Sequence, residues 1–120
     1  MKKTSRIEKI NKLFSIAADQ TRLKIMISLL DESRCCCGKP HDCGQCQCLT
    51  CMPYKSVGDI AKEINASPSL VSHQIRVLRE ADLVTSKKEG LKVFYRLKDG
   101  HVQQLVCVAI EHVEEEKKHD

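Results

Sequence analysis

Apolar residues return every three or four positions through most of the chain, and where that rhythm stops the composition changes too. Ile7, Ile10, Leu13, Phe14 and Ala17 share one helical face. Asp19 is a candidate N-cap for a second helix running to about Asp31, with Leu23, Met26, Ile27 and Leu30 on one side. From Ser33 to Pro53 the period vanishes. It resumes at Val57, Ile60, Ala61 and Ile64, breaks at "NASP", and continues in a helix capped by Ser67, opened by Pro68 and ending near Ala81, which buries Val71, Ile75 and Leu78. Two such helices across a tight turn predict a helix-turn-helix.

Leu83 to Lys87 and Leu91 to Leu97 then read as a hairpin around "KEG". In the second strand Leu91, Val93, Tyr95 and Leu97 fall on one face, and Lys92, Phe94 and Arg96 on the other. The last helix is expected to bury Val102, Leu105, Val106, Ala109 and Val113, beside a stripe of His101, Val108, His112 and Glu115. Cys107, near the apolar face, reads as core packing, because a lone cysteine behaves as a small hydrophobe. The expected fold is mainly α with a small β-hairpin: a winged helix-turn-helix, residues 1–120 forming one domain with a cysteine-rich insert at 33–53.

Composition narrows the class. The chain has 120 residues and 3% aromatics with no Trp, so its core must be modest and aliphatic, and dimerisation is a common way to gain the missing burial. The net charge is +4, with Lys and Arg gathered at Lys2, Lys3 and Arg6 and between Arg76 and Lys98, while Glu111, Glu114, Glu115 and Glu116 make the far end acidic. A localised basic stripe fits nucleic acid better than a uniform excess would. No apolar run is long enough for a signal-peptide core or a membrane span, so a cytoplasmic protein is expected. Eight cysteines in a reducing compartment argue for thiolate chemistry rather than structural disulfides.

The residues of the second helix-turn-helix helix not needed for burial are Ser69, Ser72, His73, Gln74 and Arg76. In such modules that helix enters the major groove of double-stranded DNA, where Gln suits adenine, Arg guanine, and Ser either base or phosphate. Lys87, Lys88, Lys92 and Arg96 on the hairpin suit phosphate or the minor groove; lysines there also guard an edge strand against aggregation.

The final helix carries two pairs of metal-ligand types, Asp99 with His101 and His112 with Glu115. At 1.5 Å per residue the two histidines stand roughly 16 Å apart along the axis, yet eleven steps of about 100° return them to nearly the same face. Ligands of one zinc ion sit only a few ångströms from one another, so one helix cannot close this shell. Two antiparallel copies can, each end of one facing the opposite end of the other, to give two identical sites. The alternative is four ordinary solvated residues near helix ends.

Cys35, Cys36, Cys37, Cys43, Cys46, Cys48 and Cys51, with His41, form a second candidate metal or thiol site. Close thiolates favour zinc, cadmium, copper(I) or an iron-sulfur centre. A redox enzyme built on Cys43 and Cys46 lacks the expected thioredoxin-like strand pattern.

The stretches "LFSIAADQTRLKIMISLL", "VGDIAKEINASPSLVSHQIRVLREADLV", "KKEGLKVFYRL" and "HVQQLVCVAIEH" resemble successive segments of the ArsR/SmtB metalloregulatory repressors. The resemblance implies a non-enzymatic homodimer that holds a palindromic operator and is released when a divalent metal binds. In the zinc-sensing branch the terminal helix carries Asp-x-His, ten residues, then His-x-x-Glu or His-x-x-His; here Asp99, His101, His112 and Glu115 match it. The implied effector is Zn2+ or a similar ion such as Cd2+, Co2+ or Ni2+. Two features depart from the family. The positions of its other common metal site, a Cys-x-Cys pair, hold Ser56 and Gly58, and the insert exceeds the usual connection. The rival functions are a sensor of soft metals, arsenite or redox state through the insert, and a thiolate metal buffer.

Overall fold

The computed structural model describes residues 3–30 and 54–119. The elements are α1 (Lys3–Ala17), α2 (Gln20–Ser28), β1 (Lys55–Ser56), α3 (Val57–Ile64), α4 (Pro68–Glu80), β2 (Val84–Glu89), β3 (Lys92–Leu97) and α5 (Gly100–His119). Cys35, Cys36, Cys37, His41, Cys43, Cys46, Cys48 and Cys51 lie outside the described residues, as does Asp31.

Caps set the boundaries. Asp19, in extended backbone, accepts from the Arg22 amide at 3.1 Å and starts α2. That helix stops at Ser28, earlier than its apolar period implied. The Leu29 and Leu30 amides reach back to Met26 and Ile27 in tighter three-residue turns, which leaves both leucines in the core. Ser56 and Asp59 form a reciprocal capping box on α3, and Ser67 accepts from the Leu70 amide ahead of Pro68 on α4. Between α3 and α4 the chain reverses through Asn65 at φ 57°, and the Ala66 amide bonds back to the Ala61 carbonyl at 3.0 Å. Such a closure keeps the turn tight.

The core joins α2, α3 and α4 around Ile25, Leu29, Ile60, Val71, Ile75 and Leu78, extended by Val84 and Leu97 of the hairpin and by Val102 and Val106 of α5. The hairpin belongs to a three-stranded antiparallel sheet in the order β1-β3-β2, with Lys55 opposite Tyr95 and Val84 opposite Leu97. Sequence periodicity missed β1, since two residues carry no period. Lys55 does more than pair. Its ammonium donates to the Ser28 carbonyl at the end of α2 and to the Glu63 carboxylate on α3, bringing the two sides of the 31–53 segment together.

Two expectations about burial fail. Leu91 belongs to the turn and is fully exposed, because Glu89 pairs with Lys92 and only Gly90 and Leu91 remain to connect the strands. On α5 the buried residues are Val102, Gln103 and Val106, with Cys107 and Ile110 packed against the core, whereas Leu105, Ala109 and Val113 are exposed. Ile7, Ile10 and Phe14 of α1 are exposed as well. The reason is geometric. The three-helix core is small, and helices at its flank present a second apolar side that no other described residues cover.

Ser67→Ala should cost about 1 kcal/mol, read as a lower midpoint in chemical denaturation. Hydrogen bonds from the Ser56 hydroxyl and then the Ser56 amide hold the Asp59 carboxyl below its ordinary value of 3.8. Its contribution is therefore complete above that value and lost as pH falls through the lowered one. Asp59→Asn should lower the thermal midpoint near neutral pH, with the gap to the parent closing below about pH 4.

Candidate nucleic-acid interface and metal half-sites

Burial of Val71, Ile75 and Leu78 leaves the opposite side of α4 to solvent. There Ser69, Ser72, His73 and Arg76 are exposed and, with Val57 and Pro68, line a shallow groove. These four expected base-reading residues come together. Gln74, the fifth, is half-buried and turned the other way: its Oε1 accepts from Arg22 Nε at 2.7 Å. Arg22 Nη1 also donates to the Ile16 carbonyl at 3.2 Å. One guanidinium thus ties α4 to the end of α1, a role that no periodicity reports.

On the hairpin, Lys88 and Lys92 are exposed and Lys87 pairs with Glu89 at 2.9 Å. The Glu89 carboxylate holds the Lys87 ammonium above its usual 10.5, so that lysine stays cationic. Arg96 differs from the lysines. It is half-buried, with its guanidinium carbon 5.0 Å from the centre of the Tyr54 ring, and its Nε and Nη1 are buried without a hydrogen-bond partner among the described residues. The aromatic face supplies attraction in place of water. Lys87 lies over the same ring at 5.3 Å, so Tyr54 gathers two cations on one side of the sheet. Tyr54 went unnoticed in the sequence because it stands outside the alternating strands.

Asp99 starts α5. Its Oδ1 accepts from the His101 amide at 2.9 Å and the Val102 amide at 3.1 Å, and lies 3.7 Å from His101 Nδ1. Helix capping thus places a carboxylate beside an imidazole whose side chain is 87% exposed. His112 and Glu115, also exposed, stand about three to four turns further along α5. No group of three or more His, Cys, Asp or Glu residues that could hold a metal ion exists among the described residues. Within one chain the four expected ligands remain two pairs. Beside them runs an apolar groove of about 270 Å³ between α1, α2 and α5, bordered by Phe14, Leu23, Met26, Leu105 and Ala109. Among the described residues no helix is long and apolar enough to cross a membrane.

Comparison with known proteins agrees with this layout. Residues 53–86 match the family model described as bacterial regulatory protein, arsR family. The chain is 32% identical over 106 residues to a cadmium resistance transcriptional regulatory protein CadC homolog of Staphylococcus aureus, covering 88% of this chain and 71% of that one. It is 31% identical over 108 residues to a transcriptional repressor SmtB homolog of Synechocystis, covering 90% of this chain and 66% of the relative, so just under two thirds of that protein is spanned. In structure it is similar to the homodimeric winged helix-turn-helix DNA-binding domain Mb0332 of Mycobacterium bovis, with a TM-score of 0.73, 19% identity, and coverage of 98% of this chain and 90% of that one. That likeness establishes the winged helix-turn-helix fold.

The Arg22–Gln74 bond should be measurable on its own. A double-mutant cycle of Arg22→Ala and Gln74→Ala, followed by chemical denaturation, should give a coupling of about 1 to 2 kcal/mol.

Proposed function

We propose, from the premise that the chain belongs to the arsR family of bacterial regulatory proteins, that it is a homodimeric transcriptional repressor which leaves a palindromic operator when zinc or a similar divalent ion binds. Ser69, Ser72, His73 and Arg76 meet base edges in the major groove, while Lys87, Lys88 and Lys92 meet phosphate. Arg96 serves the same surface indirectly, by fixing Tyr54 beneath the hairpin.

One observation carries the reading. His101, His112 and Glu115 fall on one side of a single helix whose start Asp99 caps, but the pairs Asp99 with His101 and His112 with Glu115 stand too far apart to share an ion, and between them the same side exposes Leu105 and Val108. A second α5 running antiparallel covers those apolar residues and completes both shells at once, Asp99 and His101 of one protomer meeting His112 and Glu115 of its partner. Exposed Ile7, Ile10 and Phe14 of α1 widen the same seam. His nitrogen and carboxylate oxygen suit Zn2+ in four-coordinate geometry, and the set also accommodates Co2+, Ni2+ or Cd2+.

Release follows from linkage. A metal that bridges the seam favours the dimer shape in which the shell closes, and it lowers operator affinity only to the extent that this shape sets the two α4 helices wrongly for successive half-sites. Coordination requires neutral imidazoles, so protons compete with the metal.

Zinc titration of the purified chain should saturate at two ions per dimer and weaken binding to its operator. His101→Ala should keep metal-free operator affinity within about threefold while abolishing the zinc response; loss of both together, or a chain that stays monomeric, refutes the assignment. Zinc affinity should also fall as pH drops from 7 to 5.5, read by competition with a chelator.

A further inference from the structure

Leu91 is 101% exposed, as open as in an isolated peptide. Its position explains why. Glu89 pairs with Lys92, leaving Gly90 and Leu91 as a two-residue loop, and Gly90 has φ +62° while Leu91 is not among the positive-φ residues. That combination fits a type II′ hairpin turn, in which glycine occupies the first central position and the second residue stands at the apex. A polar side chain would satisfy such a turn equally well, so the fold makes no use of leucine there.

The surroundings say what could. Successive residues of a strand point to opposite faces, and the pairs Lys88↔Val93 and Glu89↔Lys92 are adjacent in the ladder. Lys88 and Lys92, both exposed, therefore project from opposite sides of the ribbon just behind its tip. An apolar apex with one cation on each side matches the minor groove of DNA, whose base-pair floor lies between two phosphate strands. Apolar side chains inserted there partly unstack a base step, at a cost that depends on how deformable that step is.

We propose that Leu91 is an apolar wedge at the wing tip that enters the operator's minor groove beside the major-groove contacts of α4, straddled by Lys88 and Lys92, and that it selects deformable steps in the flanking sequence. This rests on the reading of the chain as an operator-binding repressor. It assigns sequence preference to a residue that can make no hydrogen bond with a base.

The test begins by selecting duplexes from a random 40-base-pair pool with the full metal-free chain and, in parallel, with Leu91→Ala. The parent should enrich TA or CA/TG steps, or A·T pairs, outside its central recognition bases. The variant should keep the central bases and lose the flanking preference. On the parent's selected duplex Leu91→Ala should bind about three to ten times more weakly with an unchanged slope of log affinity against log salt, because an apolar contact releases no counterions, whereas Leu91→Lys should steepen that slope by about one. Unchanged flanking preference in Leu91→Ala, or affinity within twofold of the parent, overturns the wedge and leaves the repressor reading standing. If the parent selects no duplex, both fall.

Discussion

Helix α4 has one side to bury, and everything presented to solvent by the helix-turn-helix follows from that restriction. Val71, Ile75 and Leu78 sit against Ile25, Leu29 and Ile60, so rotating α4 about its axis would pull branched side chains out of a close-packed interior. Ser72, His73 and Arg76 face outward as a consequence. The same packing places Gln74 at the margin of the core, where Arg22 takes it up and links it to the end of α1. Orientation of the proposed reading surface is therefore a property of the whole helical core, reached through apolar contact on one side and a charged hydrogen bond on the other.

Helix α5 poses the complementary problem. Its inner side is seated by Val102, Gln103 and Val106, with Cys107 and Ile110 packed beside them, which leaves the outer side of a twenty-residue helix to make contacts elsewhere. Asp99 Oδ1, which accepts the His101 and Val102 amides, is also the oxygen nearest His101 Nδ1, so the helix start and the proposed ligand pair are built from the same atoms. The geometry of that proposed pair and the geometry of the helix are then inseparable. A change in where α5 begins would shift both.

Much of this was legible in the sequence. The caps at Asp19 and Ser67, the proline opening α4 and the buried positions of α3 and α4 all have local causes, a side-chain oxygen or a repeating period, that a one-dimensional reading detects. What escaped reading depends on contacts distant in sequence or on a single loop residue. Gln74 looks like a base reader until Arg22, 52 positions away, claims it. Arg96 shares a face with Lys92 in the alternation, yet Tyr54 draws it out of solvent. Leu91 fits the apolar rhythm of β3 only if the turn is placed one residue too early. Leu105, Ala109 and Val113 have the spacing of core residues, but spacing cannot say which chain supplies the core.

Lys55 carries a different implication. By joining the Ser28 carbonyl to Glu63, it anchors the departure and return points of residues 31–53 to one another independently of what the intervening chain contains. Even for a fully flexible connection, doubling the length between fixed ends costs only about 0.6 kcal/mol. Evolution can therefore treat this junction as a docking port, lengthening, shortening or rewriting the intervening text while the helix-turn-helix scaffold keeps its shape.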